Sequence, residues 1–184
     1  RRLATTPLGL GLECALVALA TACAHGPSAK ERESAEIHYN LGTDALRNGR
    51  AQDALKEYDE ALKLDERFAD AHLGRGLVLE VAFGRSEEAE REYRRALALR
   101  PGYSEAHNNL AADLSLRGEA DRALAHLRQA VELKPLSASI HYNLGGALAE
   151  QGQFAEALEH LRTAQDLASR QAERDLAKML EKRI

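Results

Sequence analysis

The chain has no tryptophan, one methionine, four prolines and two cysteines, and aromatic residues fill only 4% of its 184 positions. Both cysteines, Cys14 and Cys23, precede residue 30, so the rest of the chain offers no thiol for a disulfide, a metal or a nucleophilic attack. Little proline with much Ala, Leu, Glu and Arg favours helix, because these side chains lose little rotamer freedom on a helical backbone. An all-α fold is expected. A basic excess is missing too: the net charge is −4, which gives no field for gathering nucleic acid. Runs such as Arg91-Glu92-Tyr93-Arg94-Arg95 mix signs and read as solvated helix faces. The chain also lacks a Gly-x-Ser-x-Gly elbow, a His-Glu-x-x-His pair and a phosphate loop. No catalytic residue, no cofactor and no small-molecule substrate is therefore expected. At 45% hydrophobic and 29% charged, the composition suits a soluble globular unit with a real core.

What is present is recurrence. His38-Tyr39-Asn40-Leu41-Gly42 returns unaltered at His141-Tyr142-Asn143-Leu144-Gly145, and the same framework stands at intermediate steps of 34, 35 and 34 residues. A fixed period of this size marks stacked supersecondary units. Four repeats follow, at 35–68, 69–103, 104–137 and 138–171. Their fourth positions are His38, His72, His107 and His141. The seventh and eighth are Leu41-Gly42, Arg75-Gly76, Leu110-Ala111 and Leu144-Gly145, and the turn glycines are Gly49, Gly84, Gly118 and Gly152. In the second half come Ala54, Ala89, Ala123 and Ala157, then Tyr58, Tyr93, Leu127 and Leu161, then Ala61, Ala96, Ala130 and Ala164. Pro101 and Pro135 close two of the repeats. Small residues at Gly42, Ala54 and Ala61 let two antiparallel helices approach, while Leu41, Leu55, Tyr58 and Leu62 are spaced to fill the seam between them.

This framework resembles the tetratricopeptide repeat (TPR). The resemblance implies a right-handed superhelical solenoid of about four helix-turn-helix repeats. The stretch 172–184, with Ala172, Leu176, Met179 and Leu180 on one stripe, would be a capping helix over the open end. It also implies a concave groove lined by the first helices, which takes a protein partner or an extended peptide. The positions facing that groove carry Tyr39, Asn40, Thr43, Arg47, Leu73, Leu77, Asn108, Asn109, Ala112, Tyr142, Asn143 and Gly146. Sixth-position Asn recurs as Asn40, Asn109 and Asn143, and an amide that both donates and accepts can bond a peptide backbone of any sequence. The alternative reading is an asparagine that merely solvates a helix face. The cationic clamp of chaperone-binding TPR domains is not matched, because Tyr39, Thr43, Gly74, Glu105 and Asn109 stand in its places.

Four in-phase histidines invite a metal reading. Equivalent positions on adjacent hairpins lie about 10 Å apart, whereas zinc ligands stand about 2.0–2.1 Å from the ion. The same objection applies to His126 and His160 at the twenty-third position. No metal site is expected, and the fourth-position histidines are read as filling a slot where an aromatic usually packs.

Ahead of the repeats, Arg1-Arg2 and an apolar stretch lead to Ala20-Thr21-Ala22-Cys23, the layout of an export signal over residues 1–22. The ending resembles a bacterial lipobox, which implies acylation of Cys23 as a membrane anchor. A plain secretory cleavage after Ala20-Thr21-Ala22 and a cytosolic N-terminus are the alternatives. Residues 23–34 read as a flexible tether. A small lipoprotein of TPR repeats is similar to the pilotin-type proteins of type IV pilus biogenesis. The expected role is thus an adaptor in the cell envelope, in the outer membrane and facing the periplasm. A cytosolic TPR module, or an envelope adaptor for a hydrolase or barrel-assembly machine, is the alternative.

Overall fold

A computed structural model describes residues 26–181, so the export signal and the proposed anchor Cys23 lie outside the described residues. Eight helices are seen among those residues and no strand: α1 Ala29–Arg47, α2 Ala51–Leu64, α3 Ala69–Phe83, α4 Ser86–Leu99, α5 Ser104–Leu116, α6 Ala120–Leu133, α7 Ala138–Glu150 and α8 Phe154–Glu181. None is long and apolar enough to cross a membrane.

Helix α1 begins inside the stretch expected to be a tether. Ser28 and Glu31 form a capping box, with Glu31 N donating to Ser28 Oγ at 3.2 Å and Ser28 N to Glu31 Oε2 at 2.7 Å. That reciprocal pair satisfies two otherwise orphaned donors and starts the helix before the repeat proper. Each hairpin then turns at a glycine with positive φ, at Gly49, Gly84, Gly118 and Gly152. At the first of these, Gly49 N bonds Leu46 O and Arg50 N bonds Ala45 O, closing α1 in a left-handed cap that a Cβ would oppose.

The helices pack in pairs, α1 on α2 through α7 on α8, and each pair leans on the next through α2 on α3, α4 on α5 and α6 on α7. First helices also touch one another directly, α1 with α3, α3 with α5 and α5 with α7, whereas second helices do not. The first helices therefore form the inner, concave wall of an all-α repeat solenoid.

The alanines at the hairpin crossings are buried in every repeat: Ala54, Ala89, Ala123 and Ala157, then Ala61, Ala96, Ala130 and Ala164. Large residues fill the space they leave. The Tyr58 ring lies against Gly42 of its own hairpin and Gly74 of the next, Tyr93 lies against Gly76, and Leu161 against Gly145.

Two expectations about the repeats are corrected. Leu41 does not fill the seam; it is 50% exposed, while its equivalents Leu110 and Leu144 are 1% exposed. Among the described residues no hairpin precedes that of Leu41. Arg75 at that position in repeat two is held by charge instead, with Nε donating to Asp59 Oδ1 and Nη1 to Glu92 Oε1, both at 2.6 Å. Finally, 172–184 is not a separate capping helix: α8 runs unbroken from Phe154 to Glu181. Pro101 and Pro135 follow the ends of α4 and α6, but Ser169 stands at that point in α8, and nothing between Ala168 and Ala172 breaks a helix. Tyr142 and Leu158 on the last hairpin stay exposed.

Candidate functional site

The inner wall carries one cavity, and a second adjoins it at the last hairpin. The first, of about 430 Å³, is lined by Tyr39, Thr43, Leu73, Leu77, Asn108 and Asn109 from α1, α3 and α5, joined by Tyr58, Asp70, Gly74, Glu105, Lys134 and Ile140. The second, of about 530 Å³, lies between α7 and α8 and is lined by Tyr142 and Asn143 with Leu161, Ala164 and Ala168. Eight of the sequence-derived groove residues thus fall into two neighbouring hollows. Asn40, Arg47, Ala112 and Gly146 line neither. Arg47 sits exposed in the last turn of α1 and turns to Asp44 at 3.5 Å, and Asn40 is exposed on α1, with no hairpin before it among the described residues. Ala112 and Gly146 have no side chain long enough to reach.

One end of the groove is aromatic. Tyr39 packs on Tyr58 and Phe68 with ring centroids 5.9 and 5.2 Å apart, and Thr43 Oγ1, which donates to Tyr39 O at 3.0 Å, stands 3.3 Å from the Tyr58 hydroxyl. The middle is amide-rich, but the amides are not an independent row. Asn143 Nδ2 donates to Asn108 Oδ1 at 2.9 Å, and Asn108 Nδ2 to Asn109 Oδ1 at 3.3 Å. The register places Asn108 in the groove but does not foresee its bond to Asn143, because that bond joins a fifth repeat position to a sixth. No such amide stands in repeat two, because Gly74 occupies the sixth position under the Tyr58 ring.

The charges in the groove are paired within the chain. Asp70 accepts from Arg100 Nη1 and Nη2 at 3.0 and 2.6 Å and from the Tyr103 hydroxyl at 2.5 Å. Burial pushes the Asp70 carboxyl up, yet these donors outweigh it and hold it below the usual carboxylate range. Glu105 is held by Lys134. The groove therefore presents aromatic, aliphatic and amide surface, with Asp70 and Glu105 paired inside the chain.

The fourth-position histidines occupy structural slots, as their sequence position implied, and His72, His107 and His141 are buried. Each Nε2 donates to the backbone carbonyl six residues earlier: His72 to Glu66 at 3.0 Å, His107 to Pro101 at 3.0 Å and His141 to Pro135 at 2.9 Å. Each Nδ1 meets the second helix of its own hairpin, at Glu57 for His38 and Glu92 for His72, both 2.7 Å, and at His126 for His107 and His160 for His141, both 2.9 Å. Burial, reinforced by the facing histidine, pushes His126 and His160 below the usual imidazole range. Comparing equivalent positions between repeats could not find these contacts, because they join unlike positions within one repeat.

The tetratricopeptide repeat family model matches residues 39–104, 79–112 and 113–172. No curated protein sequence matches the chain. Among solved structures, a MamA crystal structure is similar at 23% identity and a TM-score of 0.66, over 76% of this chain and 81% of that one. Pseudomonas aeruginosa pilF is similar at 26% identity and a TM-score of 0.69, over 75% of this chain and 63% of that one. An O-GlcNAc transferase mutant from Thermobaculum terrenum is similar at 26% identity and a TM-score of 0.62, but over only 23% of its own length.

Proposed function

The chain belongs to the tetratricopeptide repeat family, a protein-interaction scaffold, and on that premise we propose that it is an envelope adaptor whose concave groove captures an extended segment of a partner protein. The observation that carries this reading is the groove itself, lined by Tyr39, Leu73, Leu77 and Asn109, with its acidic residues already neutralised inside the chain. The tether to the membrane is Cys23, supported by the small residues before it and the apolar run upstream. The role proposed is pilotin-type, assisting assembly of a type IV pilus secretin. Its support is the joint occurrence of a lipobox-like sequence and four repeats, with pilF among the similar folds.

Membrane fractionation of cells expressing the full chain tests the tether: Cys23→Ser should move it from the membrane to the soluble fraction, and unchanged sedimentation contradicts the anchor. Site-specific photocrosslinking from Tyr142 in intact cells tests the partner. The expected product is an outer-membrane assembly protein, and crosslinks confined to cytosolic proteins contradict the envelope reading.

A further inference from the structure

The identity between repeats one and four extends one residue further than His-Tyr-Asn-Leu-Gly, and it has a counterpart on the second helices. Ile37-His38-Tyr39-Asn40-Leu41-Gly42 on α1 returns on α7 as Ile140-His141-Tyr142-Asn143-Leu144-Gly145. Ala123-Leu124-x-His126-Leu127-Arg128-x-Ala130 on α6 returns on α8 as Ala157-Leu158-x-His160-Leu161-Arg162-x-Ala164. Inside the chain α6 and α7 pack on each other, and Leu144 shares a buried cluster with Leu124 and Leu127. Ile140, Leu144 and Leu124 are 3%, 1% and 4% exposed, whereas their equivalents Ile37, Leu41 and Leu158 are 54%, 50% and 48% exposed. Both halves of one internal interface thus occur a second time, uncovered by any of the described residues, on the first and last described hairpins.

We propose that these two surfaces bind each other between copies of this chain, α1 of one copy seating on α8 of the next, head to tail, as α7 seats on α6. Three observations select a second copy as the occupant. The first is the residue match itself: the apolar side chains that α6 and α7 bury against each other are the ones that α8 and α1 expose. The second is charge. On α3 the seventh position carries Arg75, whose Nε donates to Asp59 of the preceding hairpin at 2.6 Å. Arg128 on α6 and Arg162 on α8 stand where α2 has Asp59, and the first helix that α6 receives carries Leu144 at the seventh position. A surface with Arg162 therefore suits a first helix with leucine there, which α1 supplies in Leu41, and disfavours one with a cation. The third is room. The hollow of about 530 Å³ beside α7 and α8 is lined by Tyr142, Leu161 and Ala168, and Leu161 is only half-buried where its equivalent Leu127 is 2% exposed. Helix α8 runs on past Ala168, so no turn folds back over this hollow among the described residues.

The contact is heterologous. Each copy offers α1 to one neighbour and α8 to another, so copies add end to end and their concave walls join into a longer one. Removing the exposed Ile37, Leu41 and Leu158 from water drives the association.

The test is sedimentation velocity of the full chain across a range of concentrations. The average mass of the unaltered chain should rise with concentration and pass beyond a dimer. Leu41→Lys sets a cation beside Arg162 and closes the α1 surface, and Leu158→Lys closes the α8 surface. Each substitution alone should weaken association about tenfold or more. Mixed together, the two variants should associate again and stop at a dimer, because each keeps the surface that the other has lost. Both positions are exposed, so both variants should melt like the unaltered chain; if either melts early, Ile37→Lys or Leu158→Gln replaces it at the same surface. An unaltered chain that stays monomeric at every concentration, the outcome if residues 1–25 of the same copy cover either surface, would overturn the proposal. So would association that survives either substitution, or a mixture of the two variants that stays monomeric.

Discussion

Asn143 on α7 donates to Asn108 on α5 at 2.9 Å and so ties two neighbouring repeats across the concave wall. Alanine at either position removes the same bond, so their effects on stability should not add. The double variant is expected to be less destabilised than the sum of the singles by about 0.5–1.5 kcal/mol. Urea unfolding of the two singles and the double measures this, and additivity within about 0.3 kcal/mol would contradict the link.

A methyl group at Gly74 would stand 2.7 Å from Cζ of Tyr58, whereas one at Gly146 would meet nothing within 4 Å. Gly74→Ala should therefore cost about 1–3 kcal/mol by overpacking, and Tyr58→Leu in the same chain should reduce that cost. Gly146→Ala should be neutral or stabilising by up to about 1 kcal/mol, since helical alanine outranks glycine. Thermal melts of the three variants decide it, and equal melting temperatures for Gly74→Ala and Gly146→Ala would refute the packing described.

Asp113 is 0% exposed, and neither carboxylate oxygen has a hydrogen-bond partner. Burial pushes its pKa up, Glu90 and Glu119 add to the rise, and Arg117 at 3.8 Å opposes it. A carboxyl whose pKa is raised by folding binds its proton more tightly in the folded chain. The penalty for ionising it is absent in acid, grows as pH rises through the ordinary carboxylate range and is complete above the folded value. Asp113→Asn should then stabilise the chain by about 1–2 kcal/mol at pH 8, with the advantage shrinking as pH falls below the raised folded value and gone by about pH 4. Denaturant melts of both proteins from pH 8 to pH 4 check the sign; a gain that grows in acid would mean that Asp113 is held as a stabilised anion.

The repeat frame was legible in the sequence because close helix crossings demand small side chains. Ala54, Ala89, Ala123 and Ala157 therefore recur in phase, as do Tyr58, Tyr93, Leu127 and Leu161 opposite them. What depended on the chain's ends was less legible. Leu41 matches Leu110 and Leu144 in the pattern, but it lies on the first described hairpin and is exposed where they are buried. The continuous α8 follows from a missing helix breaker at Ser169, a weaker signal than the apolar stripe that suggested a cap. In the groove, Tyr39, Leu73 and Leu77 could be placed from their register. The Asn143–Asn108 bond and the His107–His126 pair could not, because both join unlike repeat positions and follow from side-chain reach rather than from period.

The scaffold reading stands or falls on which face of the solenoid the partner reads. Asn109 and Tyr142 lie on the concave wall, one in each cavity, whereas Arg95 and Arg162 are exposed on second helices. Removing a groove hydrogen bond and an aromatic anchor typically costs about 1–3 kcal/mol of binding. The deciding measurement is calorimetric titration of the crosslinked partner's segment into the unaltered chain, the Asn109→Ala and Tyr142→Ala double variant, and the Arg95→Ala and Arg162→Ala double variant. Affinity should fall about tenfold or more in the first pair and stay unchanged in the second, with all three chains melting alike. Undiminished affinity in the groove variant, or a larger loss in the arginine variant, would place the partner on the convex face.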